Sequence, residues 1–241
     1  FGAFEAEREA SFFSTGGLAA VHSSGRDRNS IWKGLQRKET YGTSGDRILL
    51  WFDLVSEDSV VPMGGSTETS NNPVFRAKAV GAFKQKEGCP DYSSTNISDQ
   101  EIERICKNEC YNPSDERKII SRIEVIKVTP QTYEGENVDN LISDPWRVFA
   151  CEPSQQGCEV EFSDEEFDSD ARDASYYVRA IQEPSPAVNA GNLRCTYDDE
   201  GNCVEVNICY GDNRTSRDDD CLVMSEERAW SSPIYLNYYN L

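Results

Sequence analysis

The sequence predicts an α+β protein: a short helix–strand–helix start, then a mainly antiparallel β-sandwich with a disulfide-stapled C-terminal region. Three observations predict it. Apolar residues follow a helical spacing before residue 46. From Arg47 onward the period changes to two, in runs cut by Pro, Gly, Asn and Asp clusters. Nine cysteines, all after residue 88, sit among turn-forming residues.

The elements follow in order. "FEAEREASFF" (4–13) has helical spacing, and Gly16 with Gly17 ends it. "LAAV" (18–21) is a short apolar run suited to a buried strand. Asp27 can N-cap a second helix over 27–38, whose Ile31, Trp32 and Leu35 share one face and whose Arg37 and Lys38 suit a C-terminal end. Six strand-length runs come next: "RILLWFDL", "PVFRAKAVGAF", "KIISRIEVIKV", "WRVFACE", "CEVEFSD" and "SYYVRAIQE". In "VFRAKAV" Arg76 and Lys78 alternate with Phe75, Ala77 and Ala79, which marks one wet and one buried face. Six such runs without a long intervening helix argue for a sandwich. "SDQE" starts a helical insertion near 99–107, and 185–230 reads as a long stapled loop before a final strand. The division is 1–46, 47–184 and 185–241.

Composition narrows the function. With 24 basic and 43 acidic residues the net charge is −19, so phosphate backbones and anionic lipid surfaces are repelled. Neither nucleic acid nor a membrane is an expected partner; runs such as "ILLWF" are too short to span a bilayer. The first residue is Phe1 rather than Met, which reads as a processed product or a segment of something longer.

The cysteine neighbourhoods, "EGCPDY", "NECYNPSD", "CEPSQQGC" and "CTYDDEGNC" among them, lack the paired spacing of a zinc ribbon and read as disulfide staples, hence a periplasmic or extracellular protein. Cys195 with Cys203 encloses turn chemistry, as does Cys151 with Cys158. Cys209 with Cys221 would close the loop through "RDDD", leaving Cys89 to take Cys106 or Cys110. An odd number leaves one thiol free or paired outside the chain.

"GGLAAVHSSGRDRNSIWKGLQRKETYGTSGDRILLWFDL", "VPMGG", "YYVRAIQEPSPAVNAG" and "EERAWSSPIY" together resemble, in this order, the bacterial domain-of-unknown-function family 3604. That family is similar to the polymerase-and-histidinol-phosphatase (PHP) class of metal-dependent hydrolases, which carry a His-x-His and a later Asp-x-His motif. Neither motif stands in this chain. The resemblance therefore implies the C-terminal portion of such a protein. Residues 1–46 would complete a PHP-like α/β catalytic layer, and most metal ligands would lie in a missing N-terminal segment of the same protein. It implies divalent zinc, manganese or iron in the intact protein and hydrolysis of a small-molecule phosphoester or related ester, with this chain alone inactive.

His22 is the one histidine. Just past a strand end, it could be a metal ligand or a proton donor, with Arg26 or Arg28 holding an anionic substrate; equally, it could be a loop residue bonded to a neighbouring carbonyl. In "TYGTSGDR" (40–47), Gly42 and Gly45 permit close backbone approach, and Tyr41, Thr43, Ser44 and Arg47 offer donors to a substrate oxyanion. The same stretch also suits a connection in which Arg47 pairs with a carboxylate.

"YDDEGN" (197–202) and "RDDD" (217–220) offer oxygens for calcium but read better as solvated turns. "NIS" at 96 and "NRT" at 213 match glycosylation acceptors. No Gly-x-Ser-x-Gly elbow or activated cysteine presents a nucleophile. Against the hydrolase reading stands a non-catalytic, disulfide-stapled sandwich that binds a partner or a carbohydrate.

Overall fold

A computed structural model describes residues 16–57, 59–95, 97–106, 110–188, 194–208 and 221–239. The helix expected over 4–13 lies outside them. With strands and helices numbered in chain order, the larger of two main sheets is built around β12 (Ala174–Gln182). One edge of β12 pairs with β9 (Ile120–Val128), which pairs in turn with β10 (Ile142–Ala150). The other edge is shared: its C-terminal half pairs with β17 (Arg228–Ser231), its N-terminal half with β18 (Ile234–Tyr238). From β17 the sheet continues through β2 (Thr40–Thr43) to β1 (Leu18–Val21) at an edge. From β18 it continues to β5 (Ser66–Thr69), the parallel neighbour in an otherwise antiparallel sheet. The smaller sheet runs β11 (Cys158–Ser163), β6 (Val74–Val80), β3 (Leu49–Val55), β4 (Val60–Pro62).

Period-two alternation makes the two sheets a sandwich. Leu50, Phe52 and Leu54 of β3 face inward with Phe75, Ala77 and Ala79 of β6 and Phe162 of β11. They meet Ile123, Val125, Tyr176, Val178, Ala229, Ile234 and Leu236 of the larger sheet. Aromatic rings fill the centre, with Phe75 stacked 5.4 Å from both Phe52 and Phe162 and 4.7 Å from Tyr176 opposite. Such offset and tilted contacts suit ring quadrupoles, and truncating one of these phenylalanines costs about 3–5 kcal/mol.

The fold is mainly β rather than the α+β expected. Its helices are short: α1 (Arg28–Gln36), α2 (Asp99–Cys106) and α3 (Phe167–Asp170). β1 is an antiparallel edge strand of the sandwich, so 18–43 joins the same sheet as 174–238. An apolar run of four residues fits an edge strand as well as an α/β strand, and periodicity does not separate them. The stretch expected as a loop over 185–230 contains two ribbons among its described residues: β13 (Ser185–Val188) with β16 (Leu222–Ser225), and β14 (Cys195–Tyr197) with β15 (Cys203–Val206). A third ribbon joins β7 (Phe83–Gln85) to β8 (Pro113–Arg117). Ribbons that bury little apolar surface leave little periodicity to read.

The segments 37–48, 61–65, 176–183 and 226–235 converge. Gly64 donates its N–H to Pro233 O at 2.9 Å, and a Cβ there would fall 2.2 Å from Lys38 O with φ at +84°. Asp46 accepts from Gln182 Nε2 and from Lys118 Nζ, both at 2.6 Å, while Gln182 Oε1 accepts from Ala82 N–H at 2.7 Å. Gln182 is fully buried, and these bonds satisfy its amide.

Candidate functional site

His22 follows β1 and is half-buried. Its backbone N–H donates to Glu39 O at 2.8 Å, and Nε2 lies 2.8 Å from Leu50 O. A carbonyl only accepts, so Nε2 carries the proton of this bond. The ring centroid is 5.5 Å from Tyr41 and 5.9 Å from Trp51. With Glu39, Trp51, Asp53, Pro62 and Met63 it lines a small hollow. Burial pushes the Asp53 carboxyl above the usual range, although Arg76 and His22 pull the other way.

Arg26 and Arg28 do not share this hollow. They border a groove with Asn29 and the apolar side chains of Ile31, Trp32 and Leu35 on α1. Asp27 caps α1 by accepting from Ser30 Oγ–H at 2.5 Å and from Asn29 and Ser30 N–H, each at 3.0 Å, and these bonds, the Ser30 hydroxyl first, hold its carboxyl below the usual range. Gly34 sets the helix on β1: a Cβ would fall 2.6 Å from His22 O. The apolar face thereby points away, with Trp32 57% and Leu35 47% exposed.

The 40–47 stretch is half strand. Tyr41 and Thr43 are buried in β2, and burial raises the Tyr41 phenol. Thr43 Oγ1 accepts from Gly45 N–H at 3.3 Å. Ser44 Oγ donates to Glu227 and accepts from Arg228 N–H at 2.8 Å, which ties the turn to β17. Arg47 alone of the four is open. Its guanidinium lies 3.8 Å over the Tyr111 ring, beside a groove floored by Gly45 and Asp46.

Three disulfides join Cys89 to Cys110, Cys151 to Cys158 and Cys195 to Cys203. Cys221 is also bonded; Cys209 lies outside the described residues, as do 217–220, Asn213 and Asn96. Three disulfides mark an oxidising, extracytoplasmic setting. No helix among the described residues is long and apolar enough to cross a membrane. At 197–202, Asp198 Oδ1 accepts from Glu200 and Asn202 N–H and Oδ2 from the Asn202 amide, so the turn itself occupies that carboxylate.

Sequence reasoning missed two charged constellations. The first is internal: Asp164, 1% exposed, accepts from Tyr176 OH at 2.6 Å and pairs with Lys127 at 2.7 Å. Burial opposes its ionisation, yet these bonds hold its carboxyl below the usual range, and its charge helps raise the Tyr176 phenol beyond what burial does. The second covers the outer face of the smaller sheet. Trp51 and Asp53 of β3, Arg76 and Lys78 of β6 and Glu159 of β11 line a hollow of about 350 Å³. Alternation marks Arg76 and Lys78 as wet, but only the register sets Asp53 beside Arg76 and Lys78 beside Glu159.

The described residues do not by themselves make up the metal centre that the resemblance implies. Among the described residues no three His, Cys, Asp or Glu side chains are grouped to hold an ion, and Nε2 of His22 is committed to a carbonyl. Residues 3–81 match the model of a family described as a protein of unknown function (DUF3604). No curated protein and no solved structure matches the chain.

Proposed function

We propose that this chain is a non-catalytic β-sandwich module, periplasmic or secreted, that docks through α1 against an N-terminal segment of the same polypeptide outside residues 1–241. The observation that carries this reading is the uncovered face of Trp32 and Leu35, flanked by half-buried Ile31, on a helix whose opposite side is fixed to β1 by Gly34. A large apolar side chain more than half exposed beside two arginines has the make-up of an interface. Charge supports the occupant. In a chain of net charge −19, Arg26 and Arg28 are a local cationic rim, which suits an occupant that carries carboxylates beside apolar side chains. The match over 3–81 runs through this face.

The metal-dependent hydrolysis implied by the resemblance would then belong to that preceding segment, with a small-molecule ester as substrate and zinc, manganese or iron as cofactor. The test compares the 241-residue chain with the complete product of its gene, each loaded with zinc, manganese or iron, on bis(p-nitrophenyl) phosphate. Turnover by the complete product and none by the chain is expected. Metal-dependent turnover by the chain alone overturns the non-catalytic reading.

A further inference from the structure

The outer face of the smaller sheet has no role in that reading. It is built from three strands whose outward positions are set by register: Asp53 stands opposite Arg76, Trp51 opposite Lys78, and Lys78 opposite Glu159. An indole 37% exposed in a strand interior offers a flat apolar surface that the core does not use. Around it opposite charges alternate, with Glu161 a third carboxylate opposite Arg76. Arg76 lies 3.8 Å from Asp53, and Lys78 lies 3.4 Å from Glu159.

Those separations are long for hydrogen bonds, and Arg76, Lys78 and Glu159 are each 42–51% exposed in their side chains. Donors and acceptors on both pairs therefore remain available to a ligand. Two cations against three carboxylates, Asp53, Glu159 and Glu161, give no net attraction for an anion such as a phosphate. Hydroxyl groups fit, because each both donates and accepts. The face of an indole, negative by its quadrupole, suits the C–H face of a sugar ring. The hollow is about 350 Å³, and past Trp51 and Asp53 it is continued by a second, about 170 Å³, lined by His22, Glu39, Pro62 and Met63.

We propose that this face binds a neutral oligosaccharide, with one sugar ring stacked on Trp51 and its hydroxyls bridging Asp53, Arg76, Lys78 and Glu159. The site stands apart from the α1 face and does not depend on what docks there. His22, its Nε2 donating to Leu50 O, stands at the far end of the track with its ring centroid 5.9 Å from that of Trp51. A saccharide site suits the extracytoplasmic setting that the disulfides mark.

The test is titration of the oxidised 241-residue chain with cellohexaose, xylohexaose, mannohexaose and maltohexaose, with hexagalacturonate as the anionic counterpart, followed by calorimetry and tryptophan fluorescence. At least one neutral hexasaccharide should bind and shift the emission of Trp51. Trp51→Ala should weaken that binding by roughly tenfold or more, as loss of a stacking surface does. Trp51→Phe should retain part of it, and Glu159→Gln should weaken it without loss of fold. Trp32→Ala, on the distant α1 face, should leave it unchanged. Three results overturn the proposal: no neutral hexasaccharide binds the folded chain, binding survives Trp51→Ala, or hexagalacturonate binds preferentially and salt abolishes it.

Discussion

At the scale of single residues, Gly64 shows how a short motif enforces a fold. The left-handed backbone at +84° and the 2.2 Å approach of a Cβ to Lys38 O both exclude a side chain. Gly64→Ala should cost roughly 2–4 kcal/mol, read as a lowered denaturant midpoint, because strain and a backbone clash add. Asp164 is the other sensitive residue. Its carboxyl is held below the usual range, so its contribution is fully present above the ordinary aspartate pKa and is lost as pH falls through the depressed one. Lys127 is raised by Asp164 and Asp170 against the effect of burial, so its share is present below the ordinary lysine pKa and is lost only as pH rises through the folded value. Asp164→Asn should leave a nearly buried ammonium with Asp170 alone, at a cost of about 3 kcal/mol at neutral pH, and should flatten the acid limb of the stability profile. An unchanged acid limb in urea titrations between acid and neutral pH would contradict this assignment.

At the scale of elements, disulfides with similar loop lengths do different things. Cys151 and Cys158 pack against the core, and their bond spans the turn between β10 and β11, which belong to opposite sheets. Cys195 and Cys203 close a ribbon hydrogen-bonded to neither main sheet. Both close short loops worth roughly 2.5 kcal/mol by chain entropy. Cys151→Ser with Cys158→Ser should therefore lower the melting temperature of the sandwich. Cys195→Ser with Cys203→Ser should leave the main transition in place and expose 195–206 to proteolysis, since an isolated two-stranded hairpin is marginal. A shared drop in the main transition, seen by calorimetry, would show that the ribbon is coupled to the core.

Legibility in the sequence follows the range of the interactions. Inward Leu50, Phe52 and Leu54, and Phe75, Ala77 and Ala79, are readable because alternation is local. That β12 shares one edge between β17 and β18 is not, because it depends on pairing across some fifty residues that no period encodes. The same holds for function: Arg76 and Lys78 read as ordinary wet positions until the register sets them beside Trp51, Asp53 and Glu159. The open Ser and Tyr donors expected at 41–44 are consumed by packing and by β17.

At the scale of the whole molecule, the sandwich has its own aromatic core, so it should hold together without a partner, while α1 displays the one apolar helix face the described fold leaves uncovered. Hydrogen–deuterium exchange over residues 28–36 tests this most directly, measured on the 241-residue chain and on the complete product of its gene. A docked α1 should exchange more slowly in the complete product by roughly ten- to a hundredfold, while β9 and β12 stay equally protected in both. Trp32→Glu in the complete product should remove that difference. Equal exchange of 28–36 in the two proteins would contradict docking through this face and, with it, the account of the chain as a module that works against a neighbouring segment.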